Sequence, residues 1–191
     1  MNWNSNNSTI LTKELIEELF LELNSLLKQN YKSLSITVYG GSALALYEIR
    51  NSTEDLDISV EDGYISQDIQ RIINTIGGRY NLNDNWLNDS VMSVLNEKIL
   101  NTQNKIYKQY SNLVIFIPSM KQLLAMKIMS GRAKDITDID NLIMKLNLTS
   151  KEEILNIVTT YYGNEFDLLN KEYNNKYSNI INSAMRRLKN E

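Results

Sequence analysis

The chain has 191 residues, 42% of them apolar, with 20 Lys and Arg against 23 Asp and Glu and neither cysteine nor histidine. That is enough for one domain with a sizeable core, or one domain with a helical appendage. The absent residue types exclude disulfides, thiolate zinc sites, cysteine nucleophiles and histidine bases, leaving carboxylates, lysine, arginine, hydroxyls and a hard metal ion for any chemistry.

The net charge of -3 is unevenly spread. Residues 1–97 hold 14 acids and 6 bases, whereas 98–134 hold Lys98, Lys105, Lys108, Lys121, Lys127, Arg132 and Lys134 and no acid. Such a block implies a surface for something anionic: a triphosphate, RNA or an acidic partner. A solvated face accounts equally well for Lys98, Lys105 and Lys108. No apolar run is long enough to span a membrane, and residues 1–30 do not read as a secretory signal. The expectation is a cytoplasmic protein, in which the Asn-x-Ser/Thr sequons at Asn51, Asn88 and Asn147 carry no meaning.

In chain order, residues 1–8 are polar and expected to fray. Leu15, Leu19, Leu23 and Leu26 recur at helical spacing from Thr12 to about Asn30, with Thr12 as cap and glutamates in the first turn. Leu34 to Tyr39 is a strand leading to Gly40-Gly41. A compact helix follows from near Ser42 to Ile49, then a strand from Asp55 to Val60 closed by Glu61-Asp62-Gly63. Ile69, Ile72, Ile73 and Ile76 mark a helix from Ser66 that Gly77-Gly78 should end. Tyr80 to Ser90 resists assignment, with Trp86 as anchor, and Val91 to Asn101 reads as helix or irregular strands. Lys105–Tyr110 and Asn112–Ile117 read as strands, the second central, stopped by Pro118. Ser119-x-x-Gln122 has the pattern of a capping box for a helix to Ser130. A helix from Lys134 to Leu146 should turn Ile136, Ile139, Ile143 and Leu146 inward. Ser150-x-x-Glu153 opens another, and Phe166 to Leu188 reads as one last helix.

The stretch from Ser35 to Val60 carries the chemistry. A glycine turn lets backbone approach a ligand with no Cβ in the way, and the helix after it aims unpaired N–H groups at the same spot, which suits phosphate. Asp55 and Asp57 then project from one face of a strand, since side chains alternate. Two neighbouring carboxylates repel unless a cation joins them, and Mg²⁺ bridged to substrate phosphates is the common solution, with Mn²⁺ as substitute. Ser42 is a helix cap, a triphosphate ligand or both. Arg50 either clamps phosphate or sits on the surface.

Gly-Gly-Ser followed by Asp-x-Asp resembles the signature of the polymerase β-like nucleotidyltransferase superfamily. The run Arg50-Asn51-Ser52-Thr53-Glu54-Asp55, with Met120 to Lys127 and Gly131 to Ile139, is similar to its bacterial branch of AbiE-type toxins and their relatives. The resemblance implies an α+β nucleotidyltransferase fold, a small mixed sheet with flanking helices, with residues 1–132 as core and 133–191 as a C-terminal helical segment. It implies Mg²⁺-dependent transfer of a nucleotide from an NTP to an acceptor hydroxyl, by analogy on RNA or a tRNA end, in a toxin that an antitoxin protein would oppose.

Asp55 and Asp57 would be the catalytic metal ligands, and Gly40, Gly41, Ser42, Arg50, Arg132 and Asp135 would serve the nucleotide. Lys127, with Leu123 and Leu124 one turn before it, should bring its ammonium to the edge of the core, where it could neutralise a developing phosphorane. Asp135 could orient it; Asp138 pairs equally well with Lys134 at helical spacing. The third carboxylate of the superfamily has no counterpart on the strand from Leu113 to Ile117, and Asp89 is the one substitute. Two alternatives stay open: an antibiotic-modifying nucleotidyltransferase, and a non-catalytic member that binds nucleotide or a partner protein.

Overall fold

Thr12 opens the first helix as its sequence requires, its hydroxyl accepting from the Leu15 N–H. The computed structural model describes residues 9–61 and 63–189. The expected fray at 1–8 and the turn through Asp62 lie outside the described residues. The chain forms two compact units, one holding the chain up to Val94 with Lys105–Ile117, the other Leu95–Asn104 with Pro118 onward. Together they make a mixed α+β protein.

The first unit is a sheet flanked by helices. Strands β2 (Leu34–Val38), β4 (Leu56–Val60), β5 (Leu87–Asn88), β6 (Lys105–Gln109) and β7 (Leu113–Ile117) assemble in the order β5-β4-β2-β7-β6. Strand β2 is antiparallel to β4 and parallel to β7, so the sheet is mixed. Leu113, Ile115 and Ile117 are buried, and β7 lies inside the sheet, between β2 and the edge strand β6. Exposed Lys105 and Lys108 on β6 discourage further pairing along that edge. A separate ladder joins β1 (Leu11–Thr12) to β3 (Ser52–Thr53). Helix α1 (Lys13–Gln29) buries Ile16, Leu19, Phe20, Leu23, Leu26 and Leu27. Helix α2 is Gly40–Leu46 and α3 is Gln67–Tyr80.

Helix α3 does not stop at Gly77-Gly78. It runs on to Tyr80 and ends in a left-handed Asn81. Trp86 gives the reason: its indole N–H donates to the Ile73 carbonyl at 3.2 Å, and a Cβ on Gly77 would stand 3.1 Å from that nitrogen. The glycine makes room for the ring instead of breaking the helix.

The second unit is helical: α4 (Glu97–Leu100), α5 (Met120–Ser130), α6 (Ile136–Lys145), α7 (Lys151–Tyr162), α8 (Asn164–Glu172) and α9 (Lys176–Lys189). Ser150 and Glu153 form the full capping box of α7. Ser119 caps α5 through the Gln122 backbone N–H, but the Gln122 side chain is buried and does not return the bond, so that box is half made. On α6, Ile139, Leu142 and Ile143 face inward while Ile136 is exposed, because the helix begins only after a 3-10 turn at Ala133–Asp135. The expected single tail helix is two helices, parted where Asn174 and Asn175 both take positive φ.

Candidate functional site

Strand β2 ends at Val38, and Tyr39, the N-cap of α2, donates its N–H to the Asp57 carbonyl at 2.8 Å. This bond fixes the glycine turn against the start of β4. Gly40 has φ of +61°, and a Cβ there would stand 2.6 Å from Asp57 Oδ2. A side chain at Gly40 would thus be strained by its backbone and would displace the carboxylate. A Cβ on Gly41 would meet Thr53 Oγ1 at 2.7 Å and Arg50 Nη1 at 3.0 Å. The two glycines therefore lie between the Asp57 carboxylate on one side and the Thr53 hydroxyl and Arg50 guanidinium on the other.

Asp57 stands on β4 and Asp55 one residue before it, both half-buried. Among the described residues the Asp55 side chain has no hydrogen-bond or ion-pair partner. Ser42 does not cap α2, since Tyr39 holds that place. Its hydroxyl, fully buried, donates to the Asp55 carbonyl at 2.9 Å and ties the approach to β4 onto the helix. In the parallel pairing of β4 with β5, Asp57 is the register partner of Asn88. The Asn88 side-chain oxygen accepts the Ser90 N–H at 3.1 Å. Asp89 follows the strand, half-buried. Among the described residues no three acidic side chains gather where they could hold a metal ion, so Asp89 does not join Asp55 and Asp57.

Lys127, Arg132 and Asp135 form a second group, in the helical unit. Leu123 and Leu124 are buried as their spacing predicts, and Lys127 is buried with them at 5% exposure. Its ammonium donates to Asp135 at 2.6 Å and to Asp138 at 2.8 Å. Asp135 also accepts from the Ser130 hydroxyl at 2.7 Å and from Arg132 Nε at 2.7 Å. Burial alone would push the Asp135 carboxyl up, but bonds from Lys127, Ser130 and Arg132 outweigh it and hold the group below its ordinary value. Asp138, for which Lys134 was an alternative partner at helical spacing, accepts from Lys127. The basic block of the sequence divides between the units: Lys105 and Lys108 lie on β6, the remaining five in the helical unit, and Lys127 faces no solvent.

Two participants escaped the sequence reading. Thr53 was visible only as part of a Ser/Thr-rich turn, and its place beside Gly41 depends on the β1–β3 ladder. Asn88 needed the strand register. The described residues include no helix long and apolar enough to cross a membrane.

A profile of known families places residues 14–185 in the family described as nucleotidyltransferase of unknown function (DUF6036). The chain belongs to that family. Its match covers both the glycine turn with the Asp55–Asp57 pair and the Lys127 cluster. No curated protein and no solved structure matches the chain.

Proposed function

We propose that the chain is a metal-dependent nucleotidyltransferase of polymerase β-like fold, moving a nucleotide from an NTP to an acceptor hydroxyl on RNA, with a tRNA end as the expected acceptor. The observation that carries this reading is the placement of Gly40 against Asp57 and of Gly41 against Thr53 and Arg50. It sets a side-chain-free turn between a carboxylate and a guanidinium. A triphosphate lying over the turn would meet Arg50 bidentately and the Thr53 hydroxyl at one side.

The donor chemistry fits a hard cation: Asp55 and Asp57 offer oxygen only, and Asp55 has no competing partner among the described residues. Mg²⁺, or Mn²⁺ in its place, would be held by these two carboxylates and, when bound, supplies charge neutralisation on the phosphates. Ser42 holds Asp55 in place through its carbonyl, and Tyr39 holds Asp57 through its own. Lys127 is already neutralised by Asp135 and Asp138, so its contribution is to fix the segment Gly131–Asp138, from which Arg132 reaches solvent. The AbiE-type toxin role, an antitoxin protein as partner and a cytoplasmic setting belong to the same proposal.

One observation favours a second reading. The described residues offer two acids at the turn and no third, which is what a non-catalytic nucleotide-binding member would also have. Incubation with each labelled NTP, Mg²⁺ and total RNA, with Asp57→Ala as control, separates the two. Label transferred to RNA and lost in the control supports the transferase. Tight NTP binding without transfer supports the second reading, and neither outcome overturns both.

A further inference from the structure

Helix α1 ends in a turn in which the Lys32 N–H donates to the Leu27 carbonyl at 2.9 Å and Tyr31 takes φ of 55°. Left-handed backbone is costly for a bulky residue, and glycine or asparagine usually fills it. Among the described residues, the other left-handed positions are held by Asn81, Asn147, Asn174, Asn175 and four glycines, with Glu48 the one further exception. Tyr31 returns nothing to the fold for its strain: it is 96% exposed.

Its two chain neighbours, Asn30 and Lys32, line a cavity of about 450 Å³ floored by Leu26 and Ile72. Lys32 and Arg71 both reach Asp68 there, at 2.7 and 3.0 Å. One carboxylate leaves most of the donors of an ammonium and a guanidinium unused. Exposed Lys28 adds a third cation nearby, in the last turn of α1. This local excess of positive charge stands out in a unit that holds 13 acids and 8 bases. Strand β2 lies between this turn and Gly40, so the two sites are at opposite ends of that strand.

A free aromatic face beside paired cations is how proteins grip single strands without reading sequence: the base stacks and the phosphate is neutralised. We propose that this end of the sheet unit binds single-stranded nucleic acid, one base on the Tyr31 ring and the adjoining phosphate at Lys32 and Arg71. The proposal deepens, and rests on, the reading of the chain as a transferase with an RNA acceptor.

The test is fluorescence anisotropy of a labelled 12-nucleotide oligouridylate with the full chain, without NTP, across a salt series. Tyr31→Asn removes the ring and suits the backbone, so it should raise the melting temperature while weakening binding roughly tenfold or more; Tyr31→Phe should bind as the native chain does. Lys32→Ala with Arg71→Ala should flatten the dependence of log affinity on log salt by about 1.4, two contacts' worth for a single strand. Native affinity in Tyr31→Asn, an unchanged salt slope, or equal competition by polyglutamate would each overturn the proposal. NTP binding by thermal shift on the same proteins keeps the readings apart. Oligonucleotide binding that depends on Tyr31 with no NTP binding sinks the transferase alone, whereas NTP binding with Tyr31-independent RNA binding sinks this site alone.

Discussion

The two units treat a pair of neighbouring carboxylates in opposite ways. In the helical unit Asp135 and Asp138 are 1% and 5% exposed, and the fold sets the Lys127 ammonium between them. In the sheet unit Asp55 and Asp57 are half-buried beside a turn, and the Asp55 side chain has no partner among the described residues. Buried charge must be paired to be tolerated, while a partly solvated carboxylate can keep its charge for something that arrives later. The difference separates two acids paired inside the fold from one, Asp55, whose side chain has no partner among the described residues.

Removing one member of each pair should break the symmetry. Asp135→Ala leaves Lys127 buried with half its counter-charge and should cost about 3–5 kcal/mol, read by urea denaturation. Asp55→Ala should cost less than about 1 kcal/mol by the same measurement and, on the proposed transferase reading, abolish nucleotide transfer. A stability loss at Asp55 as large as at Asp135 would mean that Asp55 too holds the structure.

Acid titration sharpens the same contrast. The Asp135 carboxyl lies below its ordinary value in the folded chain. Its stabilisation is therefore fully present above the unfolded value of about 4 and is lost as pH falls through the folded value. Asp135→Asn should lower stability at neutral pH and flatten the acid limb below about pH 4. If the acid limb of Asp135→Asn keeps the native slope, other carboxylates carry it.

The glycine turn comes next in size. Gly40→Ala places a side chain at φ of +61° against Asp57 and should cost about 1–2 kcal/mol while lowering Mn²⁺ affinity, measured by calorimetry. Gly78→Ala, where a Cβ meets nothing within 4 Å inside α3, should instead raise stability by up to about 1 kcal/mol. Equal effects at the two glycines would remove the argument that the first turn is shaped by its neighbours.

This pair also shows what the sequence could and could not disclose. Local signals were legible: the amphipathic stripe of α1, the Ser150–Glu153 box, the apolar run of β7, and the glycine turn followed by Asp-x-Asp. Whatever depended on distant contacts was not. Gly77-Gly78 reads as a helix stop because nothing near it in the chain announces Trp86, and the break at Asn174-Asn175 is masked by the even scatter of asparagine. The site divided in the same way. Asp55, Asp57, Gly40 and Gly41 were visible as a motif, but Thr53 and Asn88 owe their places to strand pairing, and the burial of Lys127 to helix packing.

The smallest expected effect concerns an exception within the helical unit. There the charges inside are paired, yet Gln122 is fully buried and neither polar atom of its amide has a partner among the described residues. Leaving such a group unmade forfeits its hydration without return, whereas an apolar side chain of similar shape carries no such cost. Gln122→Met keeps the volume and the backbone N–H that Ser119 accepts, so the cap of α5 survives. It should raise stability by about 1 kcal/mol in urea denaturation. A loss of similar size would mean that the amide is satisfied in solution by ordered water, and the contrast between a paired interior and the unpartnered Asp55 side chain would then hold without exception.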